Sequence, residues 1–76
     1  MKDTLLYLLS HMVENPEALS VDEVEEEGKK ILVVHADQAD IGKIIGKHGR
    51  IIRAIRDLIK IIAVKQNIYV DVTIAE

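Results

Sequence analysis

Seventy-six residues without a cysteine make one small domain and exclude a disulfide framework. The formal charge of −3 argues weakly against a nucleic-acid partner, but it conceals a division. Residues 1–40 hold ten carboxylates against three bases, whereas residues 41–65 hold seven bases against Asp57 alone. Exposed charges are screened beyond about 8–10 Å, so a phosphate answers to the local field and not to the sum.

The opening Met1-Lys2-Asp3-Thr4-Leu5 could pass for a signal peptide. Its apolar run is broken by Tyr7, Ser10 and His11, however, and it leads into Glu14-Asn15-Pro16 with no small-residue cleavage site. No stretch nears the roughly 20 apolar residues that cross a bilayer. The reading is a soluble, cytoplasmic chain, and the missing cysteines suit a reducing compartment.

In chain order, residues 3–15 read as a helix capped by Asp3 or Thr4, with Leu5, Leu8, Leu9, Met12 and Val13 on one face and Pro16 as its stop. Val21 to Glu27 alternates, Gly28 breaks it, and Lys29-Lys30 leads into Ile31-Leu32-Val33-Val34. That is a hairpin whose apolar second strand reads as central. Gln38 to Ile45 forms a short second helix with Asp37 as N-cap and Ile41, Ile44 and Ile45 as its apolar face. A third helix runs from Arg50 to about Val64. At about 100° per residue, Ile51, Ile52, Ile55, Leu58, Ile59 and Ile62 lie within about 60° of Ile55 and form the expected buried stripe. Arg50, Arg53, Asp57 and Lys60 take the opposite side, and Arg53 and Lys60 read as solvating it. Ala54 and Ile61 form an apolar surplus on one flank. Ile68, Val70, Val72 and Ile74 alternate with Tyr69, Asp71 and Thr73 as a half-buried strand. The order α-β-β-α-α-β, with a two-helix crossover before the last strand, implies an α+β domain: a three-stranded mixed sheet with helices on one face.

Between the second and third helices lies Gly46-Lys47-His48-Gly49. An ordinary helix break needs one glycine. Two of them flanking two residues let another chain approach the backbone closely, and the amides that open the third helix attract an anion. Lys47 at the tip and Arg50 just beyond add positive charge. Other phosphate loops fail on spacing: Gly42 to Lys47 is one residue short of a Walker A motif, His48 stands where the magnesium-binding hydroxyl belongs, and Ile44 breaks a dinucleotide fingerprint.

The block Ile45-Gly46-Lys47-His48-Gly49-Arg50-Ile51-Ile52-Arg53-Ala54-Ile55 resembles the core of a KH domain, and the element order resembles its type II, bacterial arrangement. The wider stretch from His35 to Arg56 is similar to the small bacterial single-domain KhpA family, over nearly the whole chain in length and element order. The resemblance implies one KH domain over residues 1–76, its core at about 21–75. It implies that Gly46, Lys47, His48 and Gly49 meet the phosphates of single-stranded RNA, with Arg50 and Lys43 nearby, while Ile41, Ile45 and Ile52 wall the bases of about four nucleotides. It also implies partners: a second copy, or a larger KH protein, KhpB, in a pair linked to RNA regulation, envelope synthesis and cell length.

Against these stand plainer readings. His11, His35 and His48 are scattered and make no metal site, Ser10 and Ser20 have no nucleophile–base arrangement, and neither an enzyme nor a cofactor is expected. Tyr7 and Tyr69 are the only aromatic residues, which disfavours folds that stack bases on aromatic platforms. The alternative function is a protein-interaction or dimerisation module whose loop is idle.

Overall fold

The computed structural model describes residues 1–75. Its elements are α1 (Lys2–Ser10), β1 (Ser20–Glu26), β2 (Lys29–His35), α2 (Gln38–Ile45), α3 (Arg50–Lys65) and β3 (Val70–Ile74). The sheet order is β1-β2-β3, with β1 antiparallel and β3 parallel to the central β2. Leu32 sits between Glu23 and Val72 in this register, and Val34 between Val21 and Ile74. The helices cover the face carrying Val21, Leu32, Val34, Val70 and Val72, where Leu5, Leu9, Ile44, Ile52, Ile55, Ile59 and Ala63 complete the core. The α+β arrangement expected from the sequence is the one observed.

Two sequence expectations are corrected. The first helix ends at Ser10 and not at residue 15, and it starts at Lys2 with Met1 as an N-cap that makes no side-chain bond, so neither Asp3 nor Thr4 caps it. Its early end has two causes. Ser10 Oγ and His11 Nδ1 both reach the Tyr7 carbonyl, at 2.7 and 2.8 Å, and compete with the helical ladder there. Farther on, the Glu14 and Asn15 amides, which a continued helix would use, donate to the carboxylate of Asp40 at 3.0 Å each. Met12 and Val13 still pack against the core, but from the turn and loop that follow the helix.

The second correction concerns α3. Ile52, Ile55, Ile59 and Ala63 are buried and Ile62 is half-buried, while Ile51 and Leu58 remain 39% and 44% exposed. The buried arc is thus turned by about 40° from the expected centre at Ile55. The turn brings Ala63 inside and leaves Ile51, Ala54, Leu58 and Ile61 as one exposed flank.

Candidate nucleic-acid interface

Asp37 caps α2 as expected, its Oδ1 accepting from the Ala39 amide at 2.8 Å. The helix closes where the Gly46 amide donates to the Gly42 carbonyl at 2.9 Å. Gly46 has φ 76° and ψ 171°, and a Cβ placed there would stand 2.8 Å from Ile51 Cβ, so both conformation and space demand glycine. Residues Lys47–Gly49 form one 3-10 turn, in which the Gly49 amide donates to the Gly46 carbonyl at 3.1 Å and the Arg50 amide to the Lys47 carbonyl. Gly49 at φ 71° and His48 at φ 59° are both left-handed. For the histidine this conformation costs roughly 1–2 kcal/mol, so the fold must hold it in place.

The turn consumes the amides of Gly49 and Arg50 and leaves those of Lys47 and His48 without an acceptor among the described residues. Lys47, His48 and Arg50 are exposed around them. Two open amides beside a lysine and a helix N-terminus make a receptor for a phosphate oxygen.

Beside the loop, two hollows follow the seam between the helices and β3, whose outer side is a free sheet edge. Ile45, Ile52, Arg56, Thr73 and Ile74 line one; Ala36, Gln38, Ile41, Gly42 and Ala75 line the other. Ile41 and Ile45 are one turn apart on α2, and Ile74 and Ala75 are adjacent, so the hollows lie end to end as one trough, apolar along its isoleucines and polar at Gln38, Arg56 and Thr73. The three isoleucines expected as its wall are therefore brought together. Ile52 is its floor, being only 8% exposed.

Lys43 goes elsewhere. Its Nζ lies 3.0 Å from Glu14 Oε1 and 3.9 Å from Asp40 Oδ1, and it lines neither hollow. Arg53 is corrected in the opposite sense: its guanidinium does not simply face solvent but lies on the loop, Nε 3.2 Å from the Gly49 carbonyl and Nη2 2.7 Å from that of His48.

Sequence reasoning missed Arg56 and Asp40. Arg56 Nε donates to the Val72 carbonyl at 2.8 Å, and Asp71 Oδ1 accepts from the Val72 amide at 2.9 Å, so both groups of that residue are engaged at the open edge. Burial pushes the Asp71 carboxyl up, but the Val72 amide and the charges of Lys60, Lys29 and Arg56 outweigh it and hold the carboxyl below the ordinary value. The available signal for Arg56 was its place on the wheel, about 100° from Ile55, between core and solvent.

A βααβ core whose two helices meet at an open G-x-x-G turn, preceded by a helix and a strand, defines a type II KH domain. Family comparison sharpens the class: the KH-domain model described as KhpA/KhpB matches residues 2–74. The chain is 41% identical over 76 residues to the RNA-binding protein KhpA of Chlamydia caviae, covering all of this chain and 97% of that one. It is 40% identical over 67 residues to the protein of the same name from Clostridium perfringens, covering 88% and 89% of the two chains. The Thermotoga maritima KhpA is 39% identical over 59 residues, 78% and 79% of the two. No solved structure gives a significant match. The chain belongs to the KhpA/KhpB family of KH domains.

Proposed function

We propose that the chain binds single-stranded RNA, with the backbone on Gly46, Lys47, His48 and Gly49 and the bases in the trough walled by Ile41, Ile45 and Ile52. The observation that carries this reading is the pair of open amides at Lys47 and His48, set beside a trough walled by isoleucines. The relatives' name, RNA-binding protein KhpA, supports it. Arg50 adds charge at the first turn of α3, whereas Lys43 acts only if it leaves Glu14. A trough for about four nucleotides without an aromatic platform favours brief contact with many sequences. Such contact suits an RNA chaperone or post-transcriptional regulator acting in the cytoplasm.

The test is the double variant Lys47→Asp, His48→Asp. Two carboxylates repel phosphate where amides and a lysine attract it, and both glycines keep the turn. RNA binding is expected to vanish while circular dichroism stays unchanged. A folded variant with undiminished affinity would discard the loop as the binding site.

The apolar flank of α3 favours a second function alongside the first, pairing. Ile51, Ala54, Leu58 and Ile61 are spaced three, four and three residues apart, the a/d seam of a coiled coil. The occupant we assign to it is a second copy of this chain, because a seam of this spacing is complementary to itself across a two-fold axis. A KH domain of the KhpB kind, drawn from the same family, is the competing partner. Should the loop be idle, pairing is the whole function, and protein purified without nuclease would then carry no 260 nm absorbance from RNA.

A further inference from the structure

We propose that Arg53 is a positioning residue: it sets the Gly46–Gly49 turn in its receiving shape before RNA arrives, acting through the loop backbone and not on phosphate. The inference rests on the RNA reading above and adds to it a residue that the sequence assigned to solvent.

The argument starts from the peptide planes. The carbonyl of His48 shares a plane with the amide of Gly49, and the carbonyl of Gly49 shares one with the amide of Arg50. Those two amides close the turn, on the carbonyls of Gly46 and Lys47. The two carbonyls on the far side of the same planes are the ones Arg53 holds, by Nη2 at 2.7 Å and Nε at 3.2 Å. Both planes are therefore fixed at both ends. With them fixed, the amides of Lys47 and His48 are the ones left open.

Two further features fit. Within the loop, His48 and Gly49 are consecutive left-handed residues, and the histidine takes that conformation at a cost that glycine escapes. The guanidinium spans two successive carbonyls because its donors form a rigid planar fork, which a lysine ammonium cannot reproduce. Arg53 can lie on the Gly49 carbonyl because the two residues are one helical turn apart. A loop ordered in advance spares the ordering that binding would otherwise require.

Charge and geometry are separated by Arg53→Lys, which keeps the first and loses the second. Against a short, unstructured oligouridine, this variant is expected to bind about tenfold more weakly. Its melting temperature should stay close to that of the wild type, and the slope of log affinity against log salt should not change. In a double-mutant cycle, His48→Gly should be more favourable to binding in the Arg53→Lys background than beside an intact Arg53, because glycine takes the left-handed conformation unaided and any contact of the imidazole itself is lost equally in both backgrounds. A direct phosphate contact predicts otherwise: lysine would keep the affinity, and Arg53→Gln would make the salt slope shallower by about 0.7. Either result overturns the proposal, as does equal action of His48→Gly in both backgrounds. If the wild type binds no RNA, the RNA reading itself falls, and hydrogen exchange of the Gly49 and Arg50 amides in the free protein still decides. Faster exchange in Arg53→Lys supports the positioning role, and unchanged exchange removes it.

Discussion

Asp40 is the only fully buried polar side chain among the described residues, and it ties the segment after α1 to α2. From α2 it accepts the amides of Glu14 and Asn15 and the side-chain amide of Asn15, with Lys43 at 3.9 Å. The Glu14 amide does most to stabilise the charged form; burial opposes it, and the Asn15 groups and Lys43 reinforce it, leaving the carboxyl below its ordinary value of 3.8. A carboxyl depressed in the folded state stabilises the fold fully above the unfolded value, and that stability drains away as pH falls through the folded one. Asp40→Asn should therefore lower the melting temperature by about 10 °C at neutral pH, since an amide offers one acceptor where two are used. Below about pH 4 the gap to the wild type should narrow. Asp71 is depressed as well, so the acid limb becomes shallower and does not disappear. Parallel melting curves from pH 7 to 2 would show that Asp40 is not the titrating anchor. None of this was legible in the sequence, where one aspartate between Ala39 and Ile41 looks like any solvated helix position. Asp37 was legible, because a cap depends only on its neighbours in sequence.

At the scale of elements, α3 carries three functions on three sides. Its first turn faces the loop, its buried arc holds the sheet, and its outer flank is the proposed pairing seam. The sequence displayed an apolar surplus but could not apportion it. Isoleucine recurs so often in Ile51-Ile52, Ile55, Ile59 and Ile61-Ile62 that a rotation of about 40° fits the pattern nearly as well. What decides the rotation is tertiary: β3 and α2 pack on the Ile52 and Ala63 side, and α1 does not cover Leu58 or Ile61, which is 59% exposed. Burying such a flank against a second copy gains about 25 cal/mol per Å² of apolar surface. The expected result is a dimer in sedimentation at tens of micromolar that Ile61→Asp dissociates without unfolding. A wild type that sediments as a monomer at that concentration ends the homodimer assignment. Mixing with a KhpB-type KH domain then tests whether the seam belongs to that partner.

For the whole molecule, the sheet order separates the carboxylates of β1 from the proposed RNA site. Element order was legible, because Pro16, Gly28 and the Gly46–Gly49 pair mark three of the breaks, Asp37 caps the helix at a fourth, and the period changes from helix to strand before Val70. What the sequence could not state was distance between charges. Asp22, Glu23, Glu25 and Glu26 lie on β1, at one edge of the sheet, while the trough runs along β3 at the other, with β2 between. The two ladder pairs nearest the turn, Glu26–Lys29 and Glu25–Lys30, set opposite charges across β1 and β2, and Lys30 Nζ lies 3.6 Å from Glu23 Oε2. On the proposed reading, RNA approaches at the loop and α3, away from the four carboxylates of β1. Affinity should then depend on salt as a small set of local contacts does. With about three to four phosphates neutralised at roughly 0.7 each, log affinity should fall against log salt with a slope of about −2 to −3. Because the trough needs bases turned out of a helix, duplex RNA of the same length should bind more weakly than the single strand at every salt concentration. Titrations of both forms at several salt concentrations check this. A slope near zero would mean that phosphate is not what the loop receives, and equal affinity for duplex and single strand would mean that the trough takes no bases.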